Sequence, residues 1–177
     1  MRYGKTILTV AFAVALAGTA SAREIKLGHV AAPGSLIAKT SNEFARRANE
    51  KLAKVPGDWK VVVYGSSQLG KDAEMMKKLK LGTLDLSVPS TVMSSQVPQF
   101  GLFEMPYLVK DRAHMARIRD KIVFPKLEPL VEKAGYRVLG VWENGFRQIT
   151  NNVRPIYKPS DLKGIKLRVP KGEWRVK

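Results

Sequence analysis

The sequence predicts an α/β fold around a mixed, mainly parallel sheet, because strand-type stretches take turns with stretches of helical periodicity. Residues 24–30 (EIKLGHV) alternate apolar and polar side chains, and residues 59–64 (WKVVVY) are rich in β-branched and aromatic residues. Between them, apolar residues recur at helical spacing from residue 36 to residue 53. Two strands joined by such a helix lie parallel in one sheet, so a strand–helix–strand unit opens the fold.

The boundaries of this first unit carry their own signals. Pro33 and Gly34 interrupt the first strand, and Ser35 supplies a side chain that can start the helix. The Pro-Gly-Asp sequence at residues 56–58 ends the helix before the second strand begins.

A second unit follows the same order. Residues 65–70 form a loop, and Asp72 is a candidate N-cap for a helix over residues 72–79. Gly82 stands where a glycine commonly follows the end of a helix, and residues 84–88 (LDLSV) predict a third strand.

The rest of the chain, from residue 90, continues to alternate predicted helices and strands but does not complete the α/β pattern. Residues 90–98 predict a polar loop, the apolar run at 100–109 has no assignable form, and helices are predicted over 111–119 and 124–134. Further strands are predicted at 136–142, 146–150 and 166–169, with a turn-rich stretch at 155–163. No helical pattern follows the last strand to cover the sheet, so we expect the chain to stop part-way through the architecture.

The N-terminus has the pattern of a secretory signal peptide. Arg2 and Lys5 precede eleven apolar residues at 7–17, and Ala20-Ser21-Ala22 fits a signal-peptidase site. A membrane-spanning helix needs about 20 apolar residues, so this run is too short for an anchor. We therefore expect residues 1–22 to be removed and residues 23–177 to function in a bacterial periplasm.

Composition excludes several classes of protein. The chain has no cysteine, which rules out a disulfide scaffold, a cysteine-ligated zinc or iron–sulfur site and a thiol nucleophile. It has two histidines, His29 and His114, and carries neither the G-x-S-x-G motif nor a phosphate-binding glycine loop. We expect no catalytic activity, no metal and no cofactor.

The net charge of +16 raises the question of nucleic-acid binding. The Lys and Arg residues are dispersed over predicted helix surfaces, however, and no nucleic-acid motif accompanies them. Loss of residues 1–22 would also remove two of the positive charges. A solvated basic surface is favoured and no nucleic-acid partner is expected, although an exported protein that binds polyanions remains the alternative.

Two arginines and one histidine are candidates for ligand binding. Arg147 follows a turn, and Arg168 lies in an apolar stretch predicted as a buried strand. A buried guanidinium needs an anionic partner, which is either a ligand carboxylate or an Asp or Glu of the chain. His29 closes the first strand, at the edge where α/β sheets bind ligands, but it could equally be satisfied by nearby backbone.

Six segments, in this order, resemble the extracytoplasmic solute-binding proteins of tripartite ATP-independent periplasmic (TRAP) transporters, the DctP-like family. Together they span nearly all of the chain after residue 22, and the "DLKGxKxRxP" pattern at residues 161–170 is the most specific. The segments are residues 28–35, 64–70 with "SQLG", 81–85 with "LGTLD", 103–108 with "F-x-x-P-[FY]-L", 142–147 and 161–170.

The resemblance assigns roles to individual residues. It implies that Arg168 forms a salt bridge to a substrate carboxylate and that Arg147 lines the same site. It also implies that the loops after the first and third strands face the binding cleft, which brings in His29, Ser90 and Met93. Some relatives that bind sugar acids carry charges in the second of these loops. Residues 90–93 are neutral here, which favours a smaller or less polar carboxylate.

The resemblance implies a periplasmic receptor whose lobe has the type II periplasmic-binding-protein fold. Such a receptor captures a small organic acid and delivers it to the TRAP membrane permease subunits. Members have two lobes that close on the ligand, so residues 23–177 are expected to be the N-terminal part of an incomplete domain, with the second lobe largely missing. We expect this chain, on its own, to bind weakly or to fold poorly. A receptor for another class of transporter is the remaining alternative.

Overall fold

The computed structural model describes residues 23–169. The predicted signal peptide at residues 1–22 and the end of the chain from Pro170 lie outside the described residues. No helix within residues 23–169 has the length and apolar character to cross a membrane.

A three-stranded parallel sheet forms the centre of the fold. Its strands are β1 (Arg23–Gly28), β2 (Trp59–Tyr64) and β3 (Leu86–Ser87), in the order β2-β1-β3. The β1–β2 register runs from Arg23 opposite Trp59 to Gly28 opposite Tyr64, and both strand pairs are parallel. The predicted α/β class is confirmed, and residues 23–169 contribute no antiparallel strand to this sheet.

Helix α1 (Leu36–Leu52) connects β1 and β2 as predicted. The Ser35 hydroxyl caps it by accepting a hydrogen bond from the Ala38 N–H at 3.3 Å. Its inner face packs Ala45 against Leu27 of β1 and Val61 of β2. Burial of these apolar groups on both strands is what holds the helix across the sheet.

Helix α2 (Asp72–Lys80) precedes β3 and corrects one prediction. Lys71, and not Asp72, is the N-cap, and the Glu74 carboxylate accepts a hydrogen bond from the Lys71 N–H at 2.9 Å. Asp72 is already helical, and its carboxylate accepts a hydrogen bond from the Ser90 hydroxyl. Gly82 has φ +67°, which confirms the predicted glycine after the helix end.

The two helices predicted after residue 110 form one continuous helical stretch. Helix α3 (Arg112–Ile118) is capped by the Asp111 carboxylate and leads into a π-helical segment (Arg119–Leu127) and helix α4 (Glu128–Lys133). Pro125 lies inside the π-helical segment, where its missing N–H removes one helical hydrogen bond. The predicted break near residue 120 is therefore a change of helical pitch.

Residues 90–109 are more helical than the sequence indicated. The predicted polar loop contains a 3₁₀ helix (Thr91–Ser95), and the unassigned apolar run lies largely in a second one (Pro98–Glu104). These turns pack Val97 and Phe100 next to α4.

The strands predicted at 136–142, 146–150 and 166–169 are wrong, since the structure has no strand in any of these ranges. Tyr136 and Val138 pack against the core, and Trp142 lies beside Phe44 with 5.9 Å between ring centroids. The alternating apolar residues thus correctly indicate which side chains pack against the core. A strand also needs a neighbouring backbone to pair with, however, and within residues 23–169 none pairs with these segments.

Candidate functional site

The carboxyl ends of β1 and β2 border a cavity of about 210 Å³ next to the start of α1. This edge is where parallel α/β sheets place their ligands. Its polar lining consists of one imidazole, two carboxamides and one hydroxyl, contributed by His29, Asn42, Gln68 and Ser66. Among residues 23–169, no charged side chain lines this cavity, so it suits neutral polar groups of a ligand.

His29 follows directly after β1, as predicted, and is only 2 % exposed. Its backbone N–H donates to the Tyr64 carbonyl at 3.0 Å. Its ring Nδ1 accepts a hydrogen bond from the Ala31 N–H at 3.2 Å, so the neutral imidazole carries its proton on Nε2. Burial lowers the pKa of His29 below its usual 6.5, which keeps the ring neutral. Both interpretations of His29 from the sequence remain compatible with this geometry.

The loop after β2 is shaped around the His29 ring. A Cβ on Gly65 would lie 2.8 Å from His29 Cε1 and 3.1 Å from Nε2, which is too close for any other residue. Ser66 and Ser67 follow with φ of 52° and 63°, and the Ser67 N–H donates to the His29 carbonyl at 3.1 Å. These bonds tie the two loops at the sheet edge together.

A second, larger cavity of about 390 Å³ contains Arg147. Its other lining residues combine two carboxamides with three apolar or aromatic side chains: Gln148, Asn151, Tyr107, Ile149 and Ile156. The Asn151 side chain accepts hydrogen bonds from the N–H groups of Val153 and Arg154 at 2.9 and 3.0 Å, which fixes the turn on one side of the cavity. Arg147 is exposed and already interacts with other groups of the chain.

Ser90 and Met93 have different surroundings. The Ser90 hydroxyl donates to the Asp72 carboxylate at 3.0 Å and so joins the start of α2 to the loop after β3. Met93 is buried in a core cluster with Met76, Val97 and Val131. Its side chain therefore packs the 3₁₀ helix Thr91–Ser95, in the loop after β3, against the core.

Arg168 is exposed and lies in a segment without regular secondary structure, outside the sheet. The prediction that it lies in a buried strand is wrong, because residues 166–169 have no strand to pair with in the part of the chain that is described. Arg168 lines neither of the two cavities, and these share no lining residue. The described residues therefore do not bring His29, Arg147 and Arg168 together around one cavity.

Two residues of these cavities could not be predicted from the sequence. Gly65 lies in the loop predicted at residues 65–70, but nothing local indicates that it faces a histidine 36 positions earlier. Tyr107 lies in the run that had no assigned form. The available signal was Pro106, since proline is common at the position before a turn residue of positive φ.

The parallel sheet, its crossover helix and the polar cavity at its carboxyl edge define an α/β ligand-binding lobe. The chain belongs to the DctP family of bacterial extracellular solute-binding proteins, family 7, whose model matches residues 27–177. Members of this family are substrate-binding receptors.

Similar proteins agree with this assignment. The sialic acid-binding periplasmic protein SiaP of Vibrio cholerae is 32 % identical over 172 residues, which cover 94 % of this chain and 52 % of SiaP. A TRAP periplasmic solute binding protein of Sulfurospirillum deleyianum with bound succinate superposes with a TM-score of 0.78 and 34 % identity, covering 85 % of this chain and 48 % of that one.

The sugar acid binding protein DctPAm of Advenella mimigardefordensis, in complex with galactonate, superposes with a TM-score of 0.79 and 33 % identity. The match covers 88 % of this chain and 49 % of that one. The chain thus spans about half the length of these relatives, and its α/β fold class is the one predicted.

Proposed function

We propose that this protein is a periplasmic receptor that binds a small organic carboxylate and delivers it to TRAP membrane permease subunits, and that it is not an enzyme. The observation that carries the proposal is the family match over residues 27–177, which includes the motifs of Arg147 and Arg168. Residues 1–22 serve as the export signal. Residues 23–177 form the N-terminal part of a two-lobed domain, in keeping with the half-length coverage of the relatives.

Arg168 and Arg147 hold the ligand carboxylate in this proposal. A guanidinium offers paired N–H donors that match the two carboxylate oxygens, which a lysine ammonium does not. Both arginines are exposed in the described structure, where an ion pair contributes only about 0–1 kcal/mol. Closure around the ligand excludes water and strengthens the same pair, so tight binding depends on closure, and a weaker contact remains without it.

His29 and the loop after β3 form the uncharged part of the site. The His29 Nε2 proton is the donor for a ligand oxygen, since Nδ1 is already engaged by Ala31. Ser90 acts by fixing its loop to Asp72, and Met93 by filling the core beneath it. The neutral loop favours a small or weakly polar carboxylate over a polyhydroxylated acid.

Ligand-observed NMR against a panel of organic acids tests this function, because it detects weak as well as tight binding. Arg168→Ala should abolish the signal of every carboxylate that the protein binds, and Arg168→Lys should retain a small part of it. Arg117→Ala removes an exposed arginine of α3 and is the matched control. Binding that survives Arg168→Ala unchanged would refute the assignment of the site.

The net charge of +16 favours a second candidate, an exported protein that binds polyanions. This candidate predicts salt-sensitive retention on heparin, equal for the protein and for Arg168→Ala. A receptor for small carboxylates predicts weak retention and a specific loss of carboxylate binding. A receptor for another transporter class would bind the same ligands but show no association with TRAP permease subunits.

A further inference from the structure

The loop between β1 and α1, residues 30–34, is held mainly by hydrogen bonds. Four of its five residues are exposed and Ala31 is half-buried, so the loop packs little apolar surface against the fold. Ala31 makes two backbone bonds: its N–H donates to His29 Nδ1 at 3.2 Å, and its carbonyl accepts from the Ser66 N–H at 3.2 Å. The position of the loop therefore depends on the state of the His29 ring.

The His29 ring fits this contact only in its neutral form. A ring nitrogen that accepts a hydrogen bond carries no proton, and a second proton on the ring would turn Nδ1 into a donor that faces the Ala31 N–H. Two donors repel each other, and the Ala31 N–H would lose its partner. The added charge would also lie on a residue that is 2 % exposed, which is costly without an anionic partner.

The ring has little room to turn away from this conflict. The Gly65 backbone packs against it so closely that a Cβ there would lie 2.8 Å from His29 Cε1. The backbone of His29 is held as well, because its N–H donates to the Tyr64 carbonyl at 3.0 Å and its carbonyl accepts from the Ser67 N–H at 3.1 Å. The loop at residues 30–34 is therefore the part that can move.

No charged side chain in the cavity offsets a charge on His29. The first loop, α1, the end of β2 and residues 65–68 form the wall beside the ring, and their lining residues in the described part of the chain are all uncharged. Burial accordingly lowers the pKa of His29 below 6.5. The other titratable groups on the surrounding elements are exposed or bonded elsewhere: Lys39 and Lys71 are exposed, the Tyr64 hydroxyl donates to Glu24, and the Asp72 carboxylate accepts from Ser90.

We propose that residues 30–34 form a pH-sensitive switch, in which the neutral His29 ring holds the loop in place and uptake of a second proton releases it. Ala31 and Pro33 of the loop line the cavity beside β1, so release of the loop changes the shape of that cavity. Acid then weakens ligand binding even where the ligand carboxylate stays ionised. This last step rests on the receptor function proposed above, whereas the movement of the loop does not.

Amide hydrogen exchange of the whole chain between pH 7.5 and 5.5 tests the switch without a ligand. When the loop is released the ring meets water and regains its usual pKa of about 6.5. The protection factor of the Ala31 amide, which is corrected for the intrinsic pH dependence of exchange, should then fall by up to about tenfold per pH unit below 6.5. An Ala31 protection factor that does not depend on pH in the parent protein would refute the switch.

Two variants identify the group that titrates. His29→Gln keeps an acceptor for the Ala31 N–H and should remove the pH dependence of the protection factor. Lys39→Ala removes a neighbouring titratable side chain that is exposed and does not line the cavity, and it should keep that dependence. An equal pH dependence in His29→Gln and in the parent would also refute the switch.

Titration of lactate, which is ionised at pH 7.5 and at pH 5.5, measures the consequence for a ligand. Its affinity should be roughly fivefold lower at pH 5.5 in the parent and in Lys39→Ala, and should not show this fall in His29→Gln. A lactate affinity that is unchanged or higher at pH 5.5 would refute the link between the loop and the ligand. Absence of lactate binding at pH 7.5 would count against the receptor function, and the exchange measurement would still decide the switch.

Discussion

Gly65 lies against the imidazole of His29 so closely that a Cβ at residue 65 would sit 2.8 Å from His29 Cε1. This contact joins the loop after β2 to the end of β1, and it makes the shape of the cavity at the sheet edge depend on a residue without a side chain. The His29 ring has little room to move because it is 2 % exposed and bonded to Ala31.

Substitution of Gly65 by Ala should therefore destabilise the fold by about 1–3 kcal/mol, through overpacking against the buried ring. Gly65 is not at positive φ, so the cost is steric and not conformational. Chemical denaturation measures it. Gly140→Ala is the control, since its Cβ would meet no atom nearer than 3.6 Å. Equal stability of both variants would contradict this account of the contact.

Asn49 on α1 makes a pair of hydrogen bonds with the backbone of Val61 on the edge strand β2. The Val61 N–H donates to Oδ1 at 2.7 Å, and Nδ2 donates to the Val61 carbonyl at 3.0 Å. Asn49→Ala leaves both backbone groups without these partners and should lower the free energy of unfolding by about 1–3 kcal/mol. Asn42→Ala, at an exposed position of the same helix, should change it by less than about 0.5 kcal/mol.

Stability should depend on pH through His29. Its pKa is lowered in the folded state by burial, so the unfolded chain binds the proton more strongly. The contribution of His29 is complete above its unfolded pKa of about 6.5 and is lost as the pH falls from there through the lowered folded value. Urea denaturation at pH 7.5 and 5.5 should show the loss.

The corresponding variants identify the group. His29→Gln keeps an acceptor for the Ala31 N–H and should remove most of the pH dependence in this window. Asn42→Ala, which alters the lining of the same cavity without removing a titratable group, should leave it unchanged. An unaltered pH dependence in His29→Gln would show that another group titrates.

Tyr107→Gly should raise the free energy of unfolding by about 1 kcal/mol, because it relieves the positive φ and loses almost no buried surface. Tyr157→Gly has no such strain to relieve and should be neutral or slightly destabilising. Thermal unfolding of the two variants makes the comparison. A destabilised Tyr107→Gly would show that the ring contributes to the stability of the fold.

The sequence predicted the first half of the fold well because several local signals agree there. Ser35, the apolar face of α1 and the β-branched residues of β2 each favour the observed element. The strand predicted at 136–142 is wrong although its apolar residues do alternate and pack against the core. A strand must also pair with a backbone elsewhere in the chain, and no local pattern encodes that pairing. The π-helical pitch around Pro125 was missed for a similar reason, as one proline signals a break or a distortion equally well.

The part of the candidate site that lies directly after the end of a strand could be predicted from the sequence. His29 lies at the carboxyl edge because β1 ends at Gly28, and that boundary could be read from the chain. Gly65 and Tyr107 owe their roles to a close approach and to a turn conformation, which are products of tertiary packing. The predicted setting of Arg168 depended on a strand that the described residues do not form.

Binding of a carboxylate through Arg168 is the central claim, and ligand-observed NMR of the protein beside Arg168→Ala and Arg117→Ala tests it most directly. We expect the protein and Arg117→Ala to bind the same organic acid and Arg168→Ala not to bind it. Equal binding by all three proteins, or no binding of any organic acid by the parent, would contradict it.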